Sequence, residues 1–370
     1  MSLVTGALPY FLLPLVLAFI LVPISKMVGL ELGVYAVENQ RTVHHGKIVR
    51  MGGVGIFMAF LIGMALLNNA DSTYNGIMIG GSIVFFGGLI DDMIELKPKT
   101  KLMFEFAGAI VAMALGKVYL TSINLPFGIS IGNQYFCWLV SFVWIIGVTN
   151  AVNLIDGLDG LCAGISFIVC CVIGLLGFFM GRRDMCIISL TLAGAILGFL
   201  PYNFHPASVF MGDCGALFLG FTLACMSLLG FKTTAIITLG FPVLMLFIPI
   251  SDTLVAMLRR KLKGQGMMQA DKGHLHHVLM LKLRLGHAPT VLVLYLVTAL
   301  FGASALLTYF RPKLGLVMVI VLIAMAELFI EATGMINPKF HPIIGLCRKL
   351  TGLPKHCPFD DDLEEKKEEE

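Results

Sequence analysis

Charge is what this chain has least of: Asp, Glu, Lys and Arg make up 13% of its 370 residues, against about 25% in an ordinary soluble domain. A single water-soluble core is excluded, and the disordered, collagen-like and coiled-coil classes fall with the same numbers. Nor does any pair of the nine cysteines show CxxC spacing. Seven of them (Cys137, Cys162, Cys170, Cys171, Cys186, Cys214 and Cys225) sit in or beside apolar runs and read as small buried side chains, not as a metal or disulfide framework. What the chain does have is 58% hydrophobic residues, with 40 Gly, 27 Phe and 21 Met, and a mean hydropathy of +0.90. That composition suits helices packed in lipid. The net charge of +3 says little, because position matters more.

A spanning helix needs roughly 20 mostly apolar residues. Cutting the chain at charges, Pro/Gly clusters and polar runs leaves segments near 4–25, 51–68, 76–91, 102–117, 135–150, 158–180, 185–203, 213–231, 234–258, 290–310 and 314–333. The expected architecture is an all-α polytopic integral membrane protein of about 11 transmembrane helices (10–11), one domain over 1–335, and a polar tail over 336–370 that ends in DDLEEKKEEE. Stretch 118–134 mixes β-branched residues with turn signals and is expected to be an ordered outer-face loop. With eleven spans, 20 of the Lys and Arg fall on one side and six on the other. The positive-inside rule then puts the N-terminus outside and the C-terminus in the cytoplasm. No basic region precedes the first apolar run, so that run is expected to stay as a span and not to be a cleaved signal peptide.

On that topology five polar segments share the cytoplasmic rim: RTVHHGKIVRMGG, LIDDMIELKPKTK, NAVNLIDGLDGL, YNFHPASVFMGD and DKGHLHH. Ionisable groups at a bilayer are costly unless paired or hydrated, so a set at one depth marks a functional site. Asp91 and Asp92 adjoin at a helix end, and adjacent carboxylates repel unless a cation lies between or beside them. A solvated acidic pair is the plain alternative. Lys99 and Lys101 just downstream point instead to phosphate handling, and oxygen donors without cysteine suit Mg²⁺.

In NAVNLIDGLDGL, the residues Asn150, Asn153, Asp156 and Asp159 recur every third position and cannot all share one α-helical face. Either Gly157 breaks the helix or a tighter turn gathers the side chains. A helix cap explains one of these aspartates but not all four residues. A cap alone also accounts for Asp213, although the loop before it brings Asn203, His205 and a stackable Phe210. In the last segment His274, His276 and His277 follow Arg259, Arg260 and Lys272, a set spaced for anion contact more than for a zinc cage. His44, His45 and His287 are ambiguous.

Together these motifs resemble the bacterial polyprenyl-phosphate N-acetylhexosamine-1-phosphate transferases, the MraY/WecA/TagO superfamily, over residues from about 10 to 335. LIDDMIELKPKTK is similar to the first family signature, NAVNLIDGLDGL to the second, VFMGD to the third, and PISDTLVAMLRR with DKGHLHH to the fourth. The HLHH form resembles the WecA/TagO branch, whereas the muramoyl-pentapeptide branch carries three histidines in a row. The resemblance implies transfer of N-acetylglucosamine-1-phosphate from UDP-GlcNAc to undecaprenyl phosphate at a cytoplasmic-face active site, starting a cell-envelope polysaccharide. It implies Asp213 and Asn153 as ligands of Mg²⁺, with Mn²⁺ a substitute. The implied catalytic set is Asp91, Asp92, Asp156, Asp159 and His276. The implied substrate-binding set is Lys47, Lys99, Lys101, Asn150, Asn203, Phe210, Arg259, Arg260, His274 and His277, with the uridine end toward Asp156, Asp159, Asn203 and Phe210. Arg50 competes with Lys47 for its place, and Asp252 matches a branch position without a task. The expected partners are a UDP-N-acetylhexosamine, undecaprenyl phosphate, the bilayer of a bacterial inner membrane and a second copy in a homodimer, with no nucleic acid.

Three other readings bear on the same motifs. A related transferase would use another UDP-N-acetylhexosamine or UDP-MurNAc-pentapeptide. An ion-coupled transporter would place charges near midplane and repeat its halves, yet Glu327 is the one clear mid-span acid. Intramembrane prenyltransferases use paired aspartate-rich motifs, and DDMIE lacks their third aspartate.

Overall fold

The computed structural model describes residues 2–36, 48–67, 72–124, 130–230, 240–264 and 273–336. The chain divides into two compact units, Met1–Ile250 with Val291–Leu306, and Ser251–Thr290 with Leu307–Glu370.

Helices form on the apolar segments because a backbone in lipid must satisfy its own hydrogen bonds. In chain order they are α1 (Ser2–Glu31), α2 (Gly52–Leu67), α3 (Ser72–Ile94), α4 (Pro98–Gly116), α5 (Gln134–Leu154), α6 (Leu161–Phe179), α7 (Arg183–Asn203), α8 (Gly212–Gly230), α9 (Gly240–Met245), α10 (Phe247–Leu262), α11 (Leu275–Leu281), α12 (His287–Phe310) and α13 (Pro312–Thr333). Eight of the described helices are long and apolar enough to cross a bilayer. The protein is an all-α, multi-pass membrane protein. At 16 residues α2 is short for a span, and α4 carries Lys99, Lys101 and Glu105.

One expected span is not continuous. The 234–258 segment breaks at Leu246 between α9 and α10, and residues 231–239 lie outside the described set. Pro249 supplies the reason, since it has no N–H to offer the Met245 carbonyl and its ring crowds that turn. Among the described residues of the 118–134 stretch no helix forms before Gln134, and β3 (Ile123–Asn124) pairs antiparallel with β4 (Ser130–Ile131), while β1 (Tyr35–Ala36) pairs with β2 (Ile48–Val49) nearer the N-terminus. Asn133 then caps α5, its Oδ1 accepting the Phe136 N–H at 3.0 Å.

In the first unit α8 is the most enclosed helix, with nearly every residue buried. Small residues let its neighbours approach closely. A Cβ on Gly53 of α2 would lie 2.3 Å from Gly215 of α8, and one on Gly88 of α3 would lie 2.6 Å from the Cys214 Cα. Trp144 of α5 donates to Ser227 Oγ at 3.0 Å. The two glycine contacts hold the start of α8 against the start of α2 and the last turns of α3, where the acidic residues stand.

In the second unit Val255, Val278 and Met335 form a small core, with Leu275, Phe329, Ile330 and Ile336 packed against it. The histidine segment leads into α11: Val278 and Leu279 are buried and hold about two turns of helix against α10.

Candidate functional site

The site in the first unit is built around the N-terminus of α8, where four backbone N–H groups lack helical partners. Asp92, at the end of α3, takes two of them: its Oδ1 accepts the Asp213 N–H and its Oδ2 the Cys214 N–H, both at 2.9 Å. Gly212 makes this approach available. Its φ is +75°, and a Cβ there would lie 2.2 Å from the Arg50 carbonyl oxygen and 2.7 Å from Asp92 Oδ2. The neighbouring Asp91 turns elsewhere, accepting the Leu96 N–H at 2.7 Å and pairing with Lys101 Nζ at 2.8 Å. Lys101 also pairs with Asp213. The repulsion expected between the adjacent aspartates is thus relieved by two different partners, a helix terminus and a lysine. Of the three lysines in the motif Lys101 turns inward, while Lys97 and Lys99 are exposed at the start of α4.

One turn deeper in α4, Glu105 is buried and accepts from Asn150 Nδ2, which also donates to the Ile146 carbonyl at 2.9 Å. Both amide hydrogens of Asn150 are consumed, so its Oδ1 is what it has left to offer. After Leu154 the helix gives way to a turn over 155–160, earlier than Gly157, with the Asp156 N–H donating to the Asn153 carbonyl at 3.2 Å. Asp156 is half-buried in this turn. Desolvation, then the carboxylates of Asp213 and Asp92, push it up to about 7, against a smaller opposing pull from Arg50.

Asp159 is buried and closes the other side of this turn, its Oδ2 bonding His205 Nδ1 at 2.8 Å and the Ala207 N–H at 3.1 Å. Asn203 clips the same two loops together, accepting the Gly160 N–H and donating to the Val209 carbonyl, each at 3.0 Å. Both ends of its amide are spent on backbone. Phe210 is half-buried, and its N–H and carbonyl bond Val49 and Gly52, tying the loop to β2 and the start of α2.

In the second unit, Asp252 of α10 accepts from His274 Nδ1 at 2.9 Å and from the Leu275 N–H at 2.7 Å. The His274 and His276 rings lie within 9° of parallel with centroids 6.0 Å apart, and His277 sits 4.3 Å from His276. His276 is buried. Desolvation, then the neighbouring His277, pushes it down to about 4, so it is uncharged at neutral pH. Arg259 and Arg260 are buried as well, and Arg259 donates to the Met335 carbonyl at 3.0 Å.

The sequence-predicted residues therefore fall into two groups. Asp91, Asp92, Lys101, Asn150, Asn153, Asp156, Asp159, Asn203, Phe210 and Asp213 belong to the first unit; Arg259, Arg260, His274, His276 and His277 belong to the second. Lys47 and Lys272 lie outside the described residues. Two participants were not among the candidates. They are Glu105, which holds Asn150, and His205, which holds Asp159.

The sequence pattern described as Glycosyl transferase family 4 matches residues 74–231, which run from α3 through α8 and hold the acidic cluster. A probable undecaprenyl-phosphate N-acetylglucosaminyl 1-phosphate transferase of Bacillus subtilis (strain 168) is 35% identical over 92% of this chain and 96% of its own length. A decaprenyl-phosphate N-acetylglucosaminephosphotransferase of Mycobacterium tuberculosis (strain CDC 1551 / Oshkosh) is 30% identical over 78% of this chain and 79% of its own. A phospho-N-acetylmuramoyl-pentapeptide-transferase of Staphylococcus aureus (strain MSSA476) is 32% identical over 72% and 89%.

Proposed function

Because the chain belongs to glycosyl transferase family 4, we propose that it transfers N-acetylglucosamine-1-phosphate from UDP-N-acetylglucosamine to undecaprenyl phosphate. The products are undecaprenyl-diphospho-N-acetylglucosamine and UMP, in the first membrane step of a cell-envelope polysaccharide. The observation that carries the reading is the ammonium of Lys101 shared by Asp91 and Asp213, a cation position made by two carboxylates from separate helices. The names of the Bacillus and mycobacterial relatives support the sugar and the prenyl acceptor. The HLHH segment favours N-acetylglucosamine over the muramoyl-pentapeptide substrate named for the Staphylococcus relative.

The Asp213 carboxylate already holds a cation, the Lys101 ammonium, and a carboxylate with an amide oxygen fits Mg²⁺ or Mn²⁺. Asp213 and Asn153 would hold the ion, which when bound supplies positive charge against the diphosphate oxygens. The remaining work falls to the chain. Two unit charges 4 Å apart repel by about 4 kcal/mol at an effective dielectric of 20, and both substrates are anions. Lys101, Arg259, Arg260 and the histidine segment offset that repulsion, so positioning and electrostatics dominate.

An oxygen of the lipid phosphate attacks the β-phosphorus, a new P–O bond forms, and the anhydride bond to UMP breaks. A phosphate monoester has its second pKa near 6, which leaves only a residual proton near pH 7. A carboxylate of the cluster such as Asp91 takes it. The engagement of Asp92 with two backbone N–H groups supports single displacement over attack by that carboxylate. Sugar-phosphate trapped covalently on the protein without lipid would overturn this preference.

Residues 1–335 act in this reading as one transferase domain with the N-terminus outside, and the acceptor keeps its tail in the bilayer while its phosphate reaches the cytoplasmic rim. The test is purified protein with UDP-[¹⁴C]GlcNAc, undecaprenyl phosphate and Mg²⁺, scored for labelled lipid and UMP. Stoichiometric formation of both is expected. Ion flux without turnover, or labelling only from the muramoyl-pentapeptide nucleotide, would replace the proposal.

A further inference from the structure

We infer that Asp252 is a positioning residue that sets which ring nitrogen of His274 faces the sugar nucleotide. The inference rests on the proposed transfer reaction and assigns a task to a side chain that the reaction leaves unused. Asp252 is buried, at 4% exposure, and each of its oxygens has one partner: Oδ2 takes His274 Nδ1 at 2.9 Å and Oδ1 takes the Leu275 N–H at 2.7 Å. An ionised carboxylate only accepts, so Nδ1 carries the hydrogen and Nε2 is the nitrogen left for a ligand.

The second contact fixes the backbone where α11 begins, and His274 itself supplies no side-chain cap there. One carboxylate thus sets both the ring and the chain that follows it. An independent observation points to a ligand at the same place: His276 is 3% exposed, yet its Nδ1 has no hydrogen-bond partner among the described residues. Its ring lies nearly parallel to that of His274. With its hydrogen on Nδ1, His274 presents a lone pair at Nε2, which accepts from a hydroxyl or amide N–H of the sugar nucleotide, and the neighbouring ring of His276 has an unpartnered Nδ1. Arg259 of α10, whose guanidinium packs against Gly273 beside His274, adds positive charge there.

Asp252→Asn keeps size and one acceptor but presents an amide N–H where His274 Nδ1 needs a carboxylate, which forces the other tautomer. With full-length protein in detergent, Asp252→Asn is expected to raise KM for UDP-GlcNAc about tenfold or more, in line with other carboxylate–histidine supports, while kcat changes less than threefold. Asp252→Glu, which restores a carboxylate, is expected to bring KM back to within threefold of wild type. In a His274→Ala background Asp252→Asn is expected to add less than twofold. ¹⁵N-histidine spectra, assigned with His274→Gln, are expected to show Nδ1–H in wild type and Nε2–H in Asp252→Asn. Unchanged His274 spectra and KM in Asp252→Asn, or an equal loss in the His274→Ala background, would overturn the inference. The spectra need no turnover, so they read this inference even where an inactive wild type would refute the transfer reaction.

Discussion

Replacing Lys101 by methionine removes one positive charge and almost no volume from the point where α3, α4 and α8 meet. The ammonium lies 2.8 Å from Asp91 Oδ2 and also contacts Asp213. At that distance one pair is worth about 6 kcal/mol at an effective dielectric of 20. The lysine is 20% exposed and Asp91 12%, so solvent screens part of this, and breaking such a pair in proteins costs about 3–5 kcal/mol. If about 3 kcal/mol of it is exerted on the transition state, kcat falls roughly a hundredfold. Folding is expected to survive, because Asp92 still caps α8 and the glycine contacts of α3 with α8 are untouched. The assay is labelled-lipid formation at saturating Mg²⁺ and both substrates, with size-exclusion profile and melting temperature as controls. A folded Lys101→Met protein turning over within threefold of wild type would refute the electrostatic reasoning.

Other perturbations test neighbouring parts of the account. Gly212→Ala forces a Cβ to within 2.7 Å of Asp92 Oδ2 at a positive φ; it is expected to cost about 1–2 kcal/mol for the left-handed conformation alone and to abolish turnover, read by melting temperature and the lipid assay together. Asp92→Ala strands two N–H groups at the start of α8 and is expected to lower stability by about 2–4 kcal/mol, with Asp92→Asn keeping part of it. Chelation by EDTA is expected to stop UMP release, and added Mg²⁺ or Mn²⁺ to restore it. His276 has a folded-state value of about 4, below its ordinary 6.5. The unfolded chain therefore takes up the proton first, and this contribution to stability is present above pH 6.5 and is lost as pH falls toward 4. Melting temperature measured between pH 7 and pH 4.5 should drop more in wild type than in His276→Gln.

The helices were readable because lipid imposes a length and a composition on each one, and the expected segments coincide with α1 to α8, α12 and α13 to within several residues. The break between α9 and α10 was missed although Pro249 was in view, since a proline inside an apolar run is compatible with both a kink and a stop. The helix α11 escaped notice because three histidines and a lysine mask the Leu275, Val278, Leu279 pattern that buries it. Among site residues, the motif order marked Asp91, Asp92, Asp156, Asp159 and Asp213 as a set near apolar helix ends. It gave no means of telling that Asp92 faces backbone while Asp91 faces Lys101, because adjacent residues at a helix end diverge by about 100° and their partners lie more than a hundred positions downstream or on another helix. Asn203 illustrates the opposite limit: a polar side chain in a functional loop was read as a ligand contact, and its amide is consumed in holding the loop.

The central claim is that the carboxylate cluster and the histidine segment open on the same, cytoplasmic, side of one membrane. Lys97 and Lys263 are exposed neighbours of the two groups, and Lys313 is exposed in the first turn of α13, the end expected on the other side. Single cysteines at these three positions, treated with a membrane-impermeant maleimide in inside-out and right-side-out vesicles, measure this directly. Labelling of positions 97 and 263 only in inside-out vesicles, and of 313 only in right-side-out ones, is the predicted result; labelling of 97 and 263 from opposite sides would contradict the account.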